Sequence, residues 1–256
     1  MSKSSYTELE QPHRAITRRA RWRLLAIVCF TTGVVAAYHW QRSSARLPGV
    51  SIARGSYITP FDPDHAEFKT TGYRVQRTET TVTQFIRFLN RTRPTPVYDS
   101  PQIRFERGRY RAQVSGRKPV AYVSYADAIA YAEWRSRGRR KPVRLPTATE
   151  WELAARAGDH AIPYPWGWAL PAGRAQFDSD YMIEVGRFAP NPLGLYDMAG
   201  NVAEWTLAED ESQAMTYAMG GSWAERDPGL LTVNRRTPFP RTYRDADVGF
   251  RLIEPK

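Results

Sequence analysis

Cysteine is almost absent from this chain of 256 residues: the single thiol is Cys29. A disulfide framework is therefore excluded, and so is any cysteine nucleophile or thiolate metal site beyond that position. Histidine is scarce too. Of the four, only His65 and His160 lie past residue 41, far apart in sequence, which gives little foothold for a Ser-His-Asp triad or a zinc site. No G-x-S-x-G, zinc-protease or phosphate-loop pattern is present, and neither are internal repeats or low-complexity tracts. Long apolar runs are rare as well. The one that exists, Leu24 to Tyr38, is uncharged, and its neutrality extends through Gln41.

That run is about the minimum length for a membrane-crossing helix. Tyr38 and Trp40 sit at its far end, where amphipathic rings favour the interface. Arg14, Arg18, Arg19, Arg21 and Arg23 precede it, against Arg42 and Arg46 after it. By the positive-inside rule residues 1–23 read as a cytoplasmic basic segment, and 24–41 reads as an uncleaved signal anchor, with a cleaved signal peptide as the rival reading. Residues 42–52 (QRSSARLPGVS) then read as a polar linker and 53–256 as an exported domain. The expected location is the bacterial inner membrane, single pass, with that domain periplasmic and the membrane a partner through residues 24–41.

Hydrophobic residues make up 42% and aromatic residues 12% of the chain, which marks the domain as globular. Its charge is uneven. Residues 104–144 carry twelve Arg and Lys against Glu106, Asp127 and Glu133. Such a stretch fits an anionic surface or an acidic partner, or serves as a solvated face. Nucleic acid is not expected for an exported domain.

Three helices are announced by their caps. Thr81 to Gln84 has capping-box spacing, followed by Phe85, Phe88 and Leu89 on one face before Asn90. Ser124 caps YADAIAYAEW, in which Ala128, Tyr131 and Ala132 share a face. Thr147 to Glu150 is a second capping box, opening WELAARA with Trp151, Ala154 and Ala155 inward and Gly158 at the C-terminal cap. Pro119 to Val123 reads as extended. From residue 159 onward periodicity is lost among Gly, Pro, Asn and Trp, so that half must be packed loops around short strands, which need something to fasten them.

Several stretches are distinctive in combination: RLPTATEWELAARAG (144–158), YPWG (164–167), NPLGLYDMAGNVAEWT (191–206), GGSW (220–223) and DVGFRL (247–252). In order and spacing they resemble the formylglycine-generating enzyme (sulfatase-modifying factor) family, over roughly residues 51–256. The resemblance implies a loop-rich α+β domain related to C-type lectins. It also implies a calcium ion held by Asp197, the carbonyls of Gly200 and Val202, and Glu204. Oxygen donors of this kind suit a hard cation, and an ion here would fasten the loops. The family's other calcium site maps near Gln176 and Phe177, where the following segment is shortened, and none is expected there.

The family's catalytic pair does not carry over. Its two copper-binding cysteines follow the Gly-Gly-Ser-aromatic turn, where this chain has Glu225 and Leu230. A Glu–Leu pair offers no thiolate to soft Cu(I), so neither copper nor ordinary formylglycine formation is expected. Iron would require His65 and His160 to converge with a carboxylate, and is not expected either. What the resemblance leaves is a substrate groove: Trp223, Glu225, Arg226, Asp227, Arg235, Arg236, Tyr243 and Arg244.

The first expectation is a membrane-anchored periplasmic accessory or maturation factor that binds a protein or peptide there. The second is a maturation oxidoreductase of the same family using Glu225, which beside a Trp could act as a general base. The bland reading of Glu225 is an exposed turn residue paired with Arg226. A third is a ligand-binding module associated with secretion or signalling, although residues 224–246 hold only Asn234 and Tyr243 of the residue types typical of diversified loops.

Overall fold

The computed structural model describes residues 47–58, 67–158, 162–210 and 212–256. Eleven short strands, three α-helices and one 3-10 helix (Pro228–Leu231) appear among them. β1 (Val50–Ile52) and β11 (Ile253–Pro255) flank β4 (Tyr73–Val75) in an antiparallel three-stranded sheet. The first and last strands of the domain thus share one partner. β2 (Gly55–Ile58) and β3 (Glu67–Thr70) pair as one antiparallel ribbon, and β5 (Ile103–Glu106) and β6 (Arg109–Ala112) as another. The four-stranded sheet runs β10 (Val248–Gly249), β7 (Ala203–Trp205), β8 (Met215–Met219), β9 (Arg236–Pro240), with β10 and β7 parallel. Leu47 is fully buried and β1 begins at Val50, so ordered packing reaches into the stretch read as a linker.

All three caps form as expected. α1 (Val82–Thr92), α2 (Tyr125–Ser136) and α3 (Ala148–Arg156) each begin with a complete capping box, on Thr81, Ser124 and Thr147. α1 continues two residues past Asn90 and ends at Arg93, whose φ is 48°. α3 stops at Ala157 (φ 55°), one residue before Gly158. Its N3 residue Glu150 has a second role, gripping Arg144 through two hydrogen bonds of 2.6 and 2.8 Å. Pro119–Val123 forms no strand. It is tied instead by single bonds such as Val120 N to Thr80 O, 2.8 Å.

The aromatic content fills two cores. Phe85 and Phe88 of α1, Tyr131 of α2, Trp205 and Phe250 gather in the larger. Trp151 of α3, Tyr73, Leu195 and Met219 gather in the second. The loop-rich α+β architecture read from the sequence is present.

The membrane helix expected over residues 24–41 is not upheld. Among the described residues no helix is long and apolar enough to cross a membrane. The longest, α2 with 12 residues, rises only about 18 Å, where a hydrocarbon core is about 30 Å thick. Residues 24–41 themselves lie outside the described residues, as do His65 and His160. The signal anchor, the single-pass inner-membrane topology, the periplasmic location and the membrane as partner are therefore withdrawn.

Candidate functional site

The turn at Gly220–Trp223 is built on glycine. Gly220 and Gly221 have φ of 89° and 66°, a region that favours glycine over residues with a Cβ. A Cβ on Gly221 would come within 2.8 Å of the Leu230 carbonyl oxygen. Three loops are laced to this turn. Gly200 N donates to Gly220 O (2.9 Å), Trp223 N to Asn201 O (2.9 Å), and Asp178 N to Glu225 O (2.8 Å). Trp223 Nε1 donates to Ala246 O at 3.0 Å, which brings in the loop before β10.

Around Trp223 the structure assembles an acidic, half-buried surface. Glu225 is half-buried and its carboxylate makes no hydrogen bond or ion pair among the described residues. Burial pushes its carboxyl above the ordinary value, with Asp247 and Asp227 adding to the shift and Arg235 opposing it. Asp247 is raised mainly by burial, while the Tyr243 hydroxyl donates to it at 3.1 Å and resists the shift. Tyr243 stacks on Phe239 with ring centroids 4.6 Å apart. Tyr122, held at φ 58°, packs like Trp223 and Ala246 against the cluster of Ala121, Met182 and Val202.

Of the residues read from the sequence, Trp223, Glu225, Asp227, Arg235 and Tyr243 therefore belong to one neighbourhood. The others are committed elsewhere. Arg226 pairs with Asp178 at 2.8 Å, not with Glu225, and Arg236 pairs with Glu209 at 3.2 Å. Arg244 sits at the margin, donating to Tyr122 O (3.0 Å) and lying over the Tyr98 ring at 4.8 Å. Sequence reasoning missed Tyr122 and Asp247. Asp247 opens the quoted DVGFRL stretch, so its position was visible though its role was not.

Beneath the turn lies a second cluster, buried at Glu79, Glu204 and Arg251 and half-buried at Asp197. Arg251 donates from Nε to Glu204 Oε2 and from a terminal nitrogen to Oε1, both at 2.6 Å. Trp151 Nε1 adds a third bond, 2.7 Å to Oε2. Glu79 is 0% exposed. Its Oε1 accepts from Asn201 at 2.9 Å, and among the described residues its Oε2 finds no donor. Burial, then the facing Asp197 carboxylate, raise Glu79 well above the usual range, and burial raises Asp197. Three carboxylates thus converge on one guanidinium, an excess of negative charge that calls for protons or a cation.

The donor set suits calcium in kind. Glu204 Oε1 accepts one hydrogen bond and keeps a lone pair, and Asp197 uses Oδ2 to accept from Gly186 N at 2.6 Å. Among the described residues, however, no group of three or more His, Cys, Asp or Glu is placed to hold a metal ion by side chains alone, so backbone carbonyls would have to complete the shell.

The basic stretch 104–144 resolves into two halves. Arg117, Arg139 and Arg144 are spent on Glu184, Glu254 and Glu150. Arg104, Arg107, Arg109 and Arg111 stand exposed on the β5–β6 ribbon.

Comparison with known proteins places this geometry. Residues 41–256 match the model of the sulfatase-modifying factor enzyme 1-like domain. The chain belongs to that family. Cys29 lies outside the matched residues, so the family domain here contains no cysteine and lacks the catalytic pair.

Family relatives include the inactive C-alpha-formylglycine-generating enzyme 2 of Bos taurus. It is 39% identical over 127 residues, which is 43% of this chain and 40% of that protein. The formylglycine-generating enzyme of Thermomonospora curvata is 42% identical over 103 residues, 34% of this chain and 32% of that protein. The matched stretches thus span well under two thirds of these curated relatives. Among solved structures, PvdO from Pseudomonas aeruginosa superimposes with a TM-score of 0.66 at 25% identity, covering 80% of this chain and 93% of that one.

Proposed function

We propose that this protein is a non-catalytic, accessory or maturation-type member of the sulfatase-modifying factor family, and that it holds a segment of a partner protein in the groove beside Trp223. One observation carries the reading. The glycine turn and its hydrogen-bonded surroundings are intact, while Glu225 and Leu230 occupy the positions where the family resemblance puts the redox cysteines. Without thiolates this pair of positions offers no soft-metal ligand, and what remains is a shaped, aromatic and acidic surface. A relative named as an inactive formylglycine-generating enzyme supports the same direction. Trp168 at 73% and Tyr181 at 63% exposure lie on segments tied to this turn through Tyr164 and Ser179, and exposed aromatic residues of this kind are favoured at protein interfaces.

The test is site-specific photo-crosslinking in the native host. Crosslinking amino acids at Ala224 and Thr242 are expected to capture one discrete partner, and one at Val97, which is exposed on a different segment, is not. Equal capture from Val97, or conversion of a cysteine-bearing sulfatase peptide to formylglycine by the purified protein, refutes the proposal.

We further propose that Asp197, the carbonyls of Gly200 and Val202, and Glu204 take a calcium ion with a structural role, offsetting the buried negative charge. Calcium is then expected to raise Tm relative to EGTA, and Asp197→Asn to abolish the rise. No shift at millimolar calcium removes the ion from the account.

A further inference from the structure

A cavity of about 220 Å³ lies away from the Trp223 groove and shares no residue with it. It opens between Pro48–Gly49 leading into β1, the stretch Gln76–Arg77–Thr78 after β4, Gln84 in the first turn of α1, and Arg135 in the last turn of α2. Four separate pieces of chain meet there, and their chemistry is one-sided. Among the described residues no carboxylate lines the cavity. Arg77 and Arg135 both do, and neither guanidinium makes a hydrogen bond or ion pair among the described residues. Arg135 Nε is buried with no hydrogen-bond partner among the described residues. Leaving a charged donor buried and unmatched is costly, and two unneutralised guanidinium groups beside one cavity repel each other.

The two glutamines sharpen the picture, because their orientations are fixed. Gln76 Oε1 accepts from Leu252 N at 2.7 Å and from Thr80 Oγ1 at 3.3 Å. Gln84 Oε1 accepts from Thr81 N at 3.0 Å as half of the capping box. With both carbonyl oxygens turned to these backbone and hydroxyl donors, each side chain presents its NH2 as a donor. The lining is thus two cations and two spare amide donors, with no acidic group to match them.

We propose that this cavity binds a small oxyanion, the carboxylate or phosphate group of a low-molecular-weight ligand, with Arg77 and Arg135 supplying charge and Gln76 and Gln84 supplying amide donors. Arginine's planar fork suits both groups. Size sets the class of ligand. At about 220 Å³ the space admits phosphate or a short dicarboxylate and is too small to enclose a folded peptide. The location matters as well. Arg77 O accepts from Tyr196 N at 2.8 Å and from Arg251 at 3.4 Å, so a ligand here would press on the strand end that positions Glu79, Asp197 and Arg251.

The full chain is titrated with inorganic phosphate and, separately, with succinate, at constant ionic strength set by chloride. Binding is read by calorimetry and by Tm. Saturable binding of one or both is expected, and the two arms identify which oxyanion fits. Arg135→Gln and Arg77→Gln each weaken binding by roughly tenfold or more, while Arg104→Gln on the β5–β6 ribbon leaves it unchanged. Arg135→Lys keeps the charge without the fork and is expected to recover binding only in part. Should Arg135→Gln fail to fold, the exposed Arg77→Gln variant decides. Absence of saturable binding in both arms overturns the proposal. So does an equal loss in Arg104→Gln, which would reveal only general attraction of anions to a basic protein. Neither result bears on partner capture at the Trp223 groove.

Discussion

Arg251 and Glu204 form an ion pair with side-chain exposures of 0% and 1% and a contact of 2.6 Å. The guanidinium also donates to the carbonyls of Gln76 at 3.2 Å and Tyr196 at 2.9 Å. One side chain thus ties the end of β11's approach, the residues after β4, the 191–200 loop and β7. Burial alone would favour losing its proton, but Glu204 outweighs that and raises its affinity for it. Arg251→Met removes the positive centre and leaves three carboxylates without a counter-charge. The expected cost is about 3–5 kcal/mol, measured by urea denaturation. A loss below about 1 kcal/mol would mean the pair is not the organising contact.

Glu79 gives a pH signature. Its carboxyl is raised in the folded state, so above the ordinary value of 4.5 the folded protein keeps a proton that the unfolded chain has released. Stability from this group is full below that value and is lost as pH rises through the folded one. Glu79→Gln keeps the acceptor for Asn201 and cannot ionise. In EGTA, its stability is expected to decline less than wild type from mildly acidic to neutral pH. Parallel denaturation profiles for the two proteins would contradict this.

Gly200 tests the lacing of the loops. It sits at φ 74° and a Cβ would collide with the backbone carbonyl of Gln176. Backbone cannot yield as a side-chain tip can, so Gly200→Ala is expected to cost at least about 2 kcal/mol. The same substitution at Gly108 meets no atom within 4 Å and serves as the control for positive φ alone.

Glu225 separates grip from stability. Because its carboxylate has no hydrogen bond to lose among the described residues, Glu225→Gln is expected to change stability by no more than about 0.5 kcal/mol. Capture of the partner by a crosslinker at Ala224 should fall. A folded Glu225→Gln protein that captures as well as wild type would move the contact off this residue.

The helices and their N-terminal boundaries were written locally. A Thr or Ser oxygen reaching the N3 amide is decided within four residues, which is why Thr81, Ser124 and Thr147 could be read directly. The motif-bearing loops were legible as a set, and with them the family and its fold. The absence of cysteine from the domain was legible too, and it fixed what chemistry the groove lacks.

Pairings between distant segments were not legible. Arg226 and Glu225 are neighbours in sequence, yet Arg226 turns to Asp178 while Glu225 faces Asp247, because the turn is pinned from both sides by backbone bonds that sequence does not encode locally. The same holds for Glu79 meeting Asp197 and Arg251, and for four unrelated pieces of chain leaving their donors around one cavity. Residue type set which groups could bear charge. Only burial, which strips water from them and is decided by the whole fold, set which of those charges must find a partner.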